Sequence, residues 1–377
     1  MDSFSNPDKP LLEALYAAQQ IAFAPVVFQA CRALVKLGIL DALGGSRDGL
    51  TIDETAHRTN LSAYGVQILL EVGVVAGVVR ELSSGGEARR YQPTKTGECL
   101  THDEMTRTNV DFVNDVCYRG MARLEEAVVS GAPAGLSEFG RWKTIYPALS
   151  SLPEPARTSW FRFDHFYSDA AATAALQLIE TLSPRTLLDI GGNTGRWAQR
   201  CLAANPALHI TIVDLPEQIR LARSNAELEG VRDRIDFLAI DWLDPEARLP
   251  ANLRPDVIWM SQFLDCFSGV QTESILRRVR AAMSAAAKLV ILEPLWDRQR
   301  HPAAAFSLVC TSTYFTAFAN GQSRMFRYDE LRRHIDAAGL QIESEQHNVG
   351  ISHSLLLCSC REEADRHVES SGFRDSG

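Results

Sequence analysis

Three aspartates stand at or just past the ends of short apolar runs: Asp189 in TLLDI (186–190), Asp214 in HITIVDL (209–215) and Asp241 after RIDFLAI (234–240). A glycine cluster, Gly191, Gly192 and Gly195, follows the first of them in LLDIGGNTGRW. Glycines let a backbone approach a ligand closely, and an acid at the next strand end suits the paired hydroxyls of a ribose. The dinucleotide fingerprint GxGxxG does not fit, because Asn193 holds its middle position. Asp189 also argues against a pyrophosphate, since a carboxylate beside it is a like-charge contact, costly in a partly buried site. A ligand with a cationic end favours that acid. S-adenosylmethionine has an ammonium and a sulfonium joined to adenosine. Asp189 then serves the ammonium, Asp214 with Leu215 the ribose, and Asp241 with Trp242 the adenine amino group and ring. Further on, Asp265, Glu293 and His353 are candidates for handling a proton.

The elements that must position these residues follow from the patterning. TLLDI, HITIVDL, RIDFLAI, DVIWM (256–260), KLVILEP (288–294) and GISHSLLLC (350–358) are β-rich runs separated by helix-length segments. That grammar predicts an open parallel sheet with crossover helices, its ligands at the carboxyl ends of the strands. Ser261 then ends the fourth strand beside the cofactor. Upstream, residues 11–43 carry a helical period of Leu12, Leu15, Ile21, Val27, Ala30, Leu34, Leu37 and Leu40, interrupted once by Pro25 and ended by Gly44-Gly45. Thr51 with Glu54 predicts a capping box, Ser62 opens another helix, and two extended runs flank a turn at Ser83–Gly86. This is a winged-helix pattern. Its second helix, SAYGVQILLEVGVV, has no Lys or Arg, so packing at a subunit interface is expected rather than reading of a DNA groove.

The bulk numbers agree with a small-molecule partner. The chain has 377 residues, 46% of them hydrophobic, enough for more than one core, and a net charge of −9 that disfavours nucleic-acid or anionic-membrane partners. Its eight cysteines form no CxxC pair and no zinc-ligand spacing, which predicts reduced thiols, no metal and a cytoplasmic setting. No secretory leader pattern and no run of about 18 apolar residues is present.

With LGILDAL, GLTIDETA, YQPTKTGECL, LLDIGGNTG, TIVDLP, AIDWLDP, SQFLDCFS and LVILEPLWD, the sequence resembles the two-domain S-adenosylmethionine-dependent small-molecule methyltransferases, most of which are O-methyltransferases. The resemblance implies an α/β chain with an N-terminal, mostly helical winged-helix dimerisation domain at 1–105 and a helical connector to the substrate pocket at 106–180. A Rossmann-like class I methyltransferase domain at 181–361 and a disordered polar tail at 362–377 complete it. It also implies a homodimer built through the N-terminal domain. The expected function is methyl transfer to an oxygen or activated carbon of a small aromatic or enolic acceptor. The alternative is a non-catalytic S-adenosylmethionine-binding regulator or scaffold.

In that family the clause after the fourth strand reads like NVLHDWS, with the histidine as general base; here QFLDCFS puts Asp265 at the histidine position and Cys266 at the next. A phenol near 10 and an aspartate near 4 differ by about 6 pKa units, so the proton moves uphill by roughly 8 kcal/mol, against roughly 5 for a histidine. Three routes remain open: a more acidic acceptor, an activated carbon, or another base, His353 or His165. Glu293 matches a family glutamate that steadies the catalytic group. For the acceptor pocket the resemblance implicates Phe163, His165, Phe263, Tyr314 and Phe318.

Overall fold

The computed structural model describes residues 8–82 and 88–361. The predicted turn at 83–86 and the tail at 362–377 lie outside them. The described chain forms two compact units, one of residues 8–119 with 153–166 and one of 120–152 with 167–361. The segment expected as a connector is therefore divided between the two.

In the first unit the predicted long helix is three helices, Leu11–Ala22, Ala24–Lys36 and Ile39–Gly44. The first two meet at a 64° bend at Phe23, two residues before Pro25, because proline is tolerated in a first helical turn and Pro25 takes that place. Gly38, at φ +72°, ends the second. The capping box is present: Glu54 N–H donates to Thr51 Oγ1 at 3.2 Å and Thr51 N–H to Glu54 Oε2 at 2.8 Å. Helices Ile52–Thr59 and Ala63–Val75 lead into an antiparallel wing, β1 (Val79–Leu82) with β2 (Arg90–Pro93). Leu34, Ile39, Leu43, Val66 and Leu70 fill the core beneath it. The helix Leu11–Ala22 buries none of its residues, and Leu11, Leu12 and Ile21 are 73%, 80% and 76% exposed. Each such side chain leaves roughly 1.5–3 kcal/mol of burial unrealised within the chain. Among the described residues no single helix is long and apolar enough to cross a membrane; only the bent pair Leu11–Ala22 and Ala24–Lys36 together reaches that length and composition.

The second unit is built on seven strands, β3 (Thr186–Ile190), β4 (His209–Asp214), β5 (Ile235–Ala239), β6 (Val257–Ser261), β7 (Lys288–Glu293), β8 (Leu340–Val349) and β9 (His353–Cys360). Their order across the sheet is β5-β4-β3-β6-β7-β9-β8. The first five run parallel, but β9 is antiparallel to β7 and β8 to β9, so the wholly parallel sheet expected from the sequence is corrected at one edge. Two apolar layers sandwich the sheet, one around Ile258, Met260 and Ile291, the other around Leu187, Ile210 and Trp259. Strand order reverses between β3 and β6, where Ile190 pairs with Met260. The loop after β3 and the clause after β6 thus emerge side by side at the switch point.

Candidate active site

β3 carries Asp189 to the carboxyl edge of the sheet, and the chain then turns through Gly191 at φ +78° and Gly195 at φ +81°. A Cβ on Gly191 would lie 2.7 Å from Phe263 Cδ2, and one on Gly192 would lie 2.7 Å from Asp189 Oδ2. The loop closes over both side chains only because it is glycine there. Asp189 is 2% exposed, and its Oδ2 has no hydrogen-bond partner. Burial, and then the charge of Asp214, push its carboxyl up to about 8. Asp214 accepts the Asn193 N–H at 2.9 Å and the Leu215 N–H at 2.7 Å, yet burial still raises it to about 6. Two buried carboxyls beside a tight loop, one of them with an oxygen that has no hydrogen-bond partner, make a place that a cation relieves. The donor set fits the ammonium and sulfonium of S-adenosylmethionine, and the remaining lone pairs of Asp214 suit a diol. Exposed Asp241, just past β5, accepts the Leu243 N–H at 2.9 Å. Trp242 is different: it is 4% exposed, lies in the apolar layer and has the Arg278 guanidinium 5.1 Å from its ring. Arg278 thus lies against the flat ring expected to meet the adenine.

The clause after β6 starts from half-buried Ser261 with Gln262 in a left-handed conformation, φ 48°, a costly state for a residue with a side chain. Phe263 and Leu264 then donate their N–H groups to Glu293 Oε1 at 2.9 and 2.7 Å. Glu293, the last residue of β7, is 1% exposed, and its Oε2 has no hydrogen-bond partner. Burial and the neighbouring Asp265 charge hold it well above the usual carboxylate range. Asp265 is 4% exposed on the short turn Leu264–Cys266, and the Cys266 thiol lies 3.5 Å from its Oδ1. The far side of this turn is held by Asn320, whose Nδ2 donates to the Cys266 carbonyl at 2.6 Å, and by Tyr146, whose hydroxyl donates to the same carbonyl at 3.3 Å. Phe263, wedged against Gly191, joins the two halves of the site.

The structure thus gathers Asp189, the glycines, Asp214 and Leu215 at the ends of β3 and β4, and Ser261, Phe263, Asp265 and Glu293 at the ends of β6 and β7. His353 is the remaining residue expected to handle a proton. It is fully buried at the start of β9, with Nε2 2.8 Å from Gln262 Oε1, and burial pushes it down to about 4. It is therefore neutral at ordinary pH and acts as a buried strut for Gln262. Phe318, expected as a pocket wall, has no exposed surface, and its ring fills the space over Gly120, where a Cβ would come within 2.6 Å. Tyr314 is 5% exposed and stacks on Phe318 with centroids 6.0 Å apart. Phe163 and His165 belong to the first unit, where Phe163 stacks on Phe112 at 4.0 Å and His165 lies 6.0 Å from Phe161. Tyr146 and Asn320 were missed. Asn320-Gly321 signals a turn in the sequence, but nothing there links either residue to a clause so distant along the chain.

A doubly wound sheet with a glycine loop and buried acids at its switch point defines a nucleoside-cofactor enzyme of the Rossmann-like methyltransferase class. Comparison with known proteins specifies it further. A Dimerisation2-like domain matches residues 16–84 and an O-methyltransferase domain residues 164–341. The chain is similar to human acetylserotonin O-methyltransferase, 24% identical over 73% of this chain and 77% of the relative. It is also similar to an L-tyrosine C(3)-methyltransferase of Streptomyces lavendulae, 22% identical over 86% and 87%. A third relative, aclacinomycin 10-hydroxylase RdmB of Streptomyces purpurascens, is 26% identical over 84% and 82%. The solved structure of the human protein with its cofactor superposes with a TM-score of 0.63 at 20% identity, covering 95% of this chain and 99% of that one, a likeness of fold. The chain belongs to the S-adenosylmethionine-dependent methyltransferases of the O-methyltransferase family, with an N-terminal dimerisation domain. The alternative of a non-catalytic cofactor-binding protein finds no support in these matches.

Proposed function

We propose that this methyltransferase acts on an oxygen or activated carbon of a small aromatic or enolic metabolite, and that Asp265, backed by Glu293, receives the acceptor's proton. The observation that carries the reading is the pair of buried acids at adjacent strand ends, Asp265 at 4% and Glu293 at 1% exposure, joined to the cofactor loop through Phe263. When bound, S-adenosylmethionine supplies an electrophilic methyl group on its sulfonium. The chain's own residues align, exclude water and move the proton. Burial and the Asp265 charge hold Glu293 well above the usual carboxylate range, which lessens the repulsion between the two acids. Its Oε1 meanwhile fixes the turn through two N–H donors. Asp265 can then accept a hydrogen bond from a hydroxyl. An enol or an acidified phenol lies closer to a carboxylate in pKa than a simple phenol does, which favours such acceptors.

Phe263 and Tyr314 supply an apolar lining, and the residues proposed for the cofactor are Asp189, Gly191, Gly192, Gly195, Asp214, Leu215, Asp241, Trp242 and Ser261. A homodimer through the exposed apolar face of Leu11–Ala22 and a cytoplasmic setting, in keeping with eight unpaired cysteines, complete the proposal. Incubation with methyl-labelled cofactor and a panel of phenols, enols and ring acceptors, with the label located by NMR, tests it. Labelled product is expected from the intact protein and its near loss in Asp265→Asn. Full activity of that variant sinks the assignment of the base.

A further inference from the structure

The geometry points to a second small-molecule site, within the N-terminal unit, that binds a monocarboxylate with an apolar or aromatic body. It does not rest on the proposed acceptor chemistry. A cavity of about 360 Å³ is lined by Phe28, Cys31, Arg32 and Val35 of the helix Ala24–Lys36, by Leu100 and His102, and by Arg107 and Val110 of the helix Glu104–Phe112. That volume falls within the range of pockets that enclose a small organic molecule.

Charge selects the ligand. Among the lining residues, Arg32, Lys36 and Arg107 face Asp41 and Asp111, an excess of one formal positive charge over the acids. Asp111 is already shared by Lys36 at 3.3 Å and Arg162 at 3.4 Å, whereas Arg32 and Arg107 form no ion pair among the described residues. Arg32 Nε is closed to water and has no hydrogen-bond partner, so a ligand in the cavity would meet the outer nitrogens of this guanidinium rather than Nε. A carboxylate would meet the guanidinium fork and supply the missing negative charge. A dianion such as phosphate would instead meet Asp41 and Asp111 with charge to spare. Phe28, Val35, Leu100 and Val110 supply the wall for the ligand's apolar part.

The test is calorimetry on the full-length protein with benzoate, 2-naphthoate, benzamide and inorganic phosphate. The aromatic carboxylates are expected to bind with Kd of about 10 µM to 1 mM. The neutral benzamide and phosphate are expected to bind at least about tenfold more weakly. Arg32→Gln and the rim variant Arg107→Gln should each weaken benzoate about tenfold or more, with melting temperature and S-adenosylmethionine affinity unchanged. Asp265→Asn should leave benzoate binding intact, which separates this site from the acceptor site. The inference is overturned by any of four results: no carboxylate binding, undiminished binding in both arginine variants, equal binding of benzamide or phosphate, or loss of binding in Asp265→Asn.

Discussion

The pH dependence of cofactor binding follows from the buried acid beneath the glycine loop. Without a cation, Asp189 keeps a proton at neutral pH, because burial and the Asp214 charge raise it from 3.8 to about 8. A ligand carrying positive charge needs the ionised form. At pH 6 about one molecule in a hundred is ionised there, and at pH 7 about one in ten. Apparent affinity for S-adenosylmethionine is therefore expected to climb about tenfold between pH 6 and 7, with about one proton released per ligand bound at pH 7. Asp214, raised to about 6, steepens the dependence further at lower pH.

The same shift acts on stability with the opposite benefit. The unfolded chain ionises Asp189 near 4 while the folded chain holds the proton to about 8, so the folded state binds more protons in that window and stability falls as pH rises through it. At about 1.4 kcal/mol per unit, the cost reaches at most about 5 kcal/mol at pH 8. Asp189→Asn should remove that cost. Free of ligand at pH 8, it should melt higher than the parent, yet bind the cofactor at least about tenfold more weakly. Calorimetric titrations in two buffers of different ionisation enthalpy, with thermal scans of both proteins, measure all three quantities. A Kd that stays flat from pH 6 to 7, or a variant that melts lower at pH 8, refutes the reasoning.

Asp265→Asn should lower kcat by about 10²–10⁴ in single-turnover assays while leaving cofactor affinity unchanged. His353→Ala should cost about 2–4 kcal/mol in denaturant unfolding, through the cavity and the lost Gln262 contact, with a smaller effect on turnover than Asp265→Asn. Gly191→Ala, at φ +78° with a Cβ 2.7 Å from Phe263, should destabilise the loop by about 1–3 kcal/mol and raise KM for the cofactor. Replacing Leu12 and Ile21 by aspartate should convert the proposed dimer to monomer in light scattering without unfolding the methyltransferase unit.

Much of the second unit was legible because buried parallel strands are written as short continuous apolar runs. TLLDI coincides with β3, and the runs at 209, 234, 256 and 288 each differ from their strands by a residue or so at the ends. β8 was not legible. LQIESEQHNV is an edge strand with most of its middle exposed and two register irregularities against β9, so it carries neither an apolar run nor clean alternation. The helical break at Phe23 was misplaced by the proline that follows it.

The site divides in a similar way. Asp189, Asp214 and Glu293 could be picked out from the chain because each lies at or one residue before the end of a strand, and strand ends at a switch point are where ligands bind. By itself the sequence determined the strand grammar, the glycine loop and the acids it presents, since these depend on residues adjacent along the chain. Only the tertiary structure decided which groups surround Asp265. It put Glu293 beneath the turn, Asn320 and Tyr146 behind it, and His353 on Gln262, contacts between residues 29 to 174 positions apart. The physical reason is that burial and neighbouring charge, which set what a carboxyl or an imidazole can do, exist only after distant segments have packed.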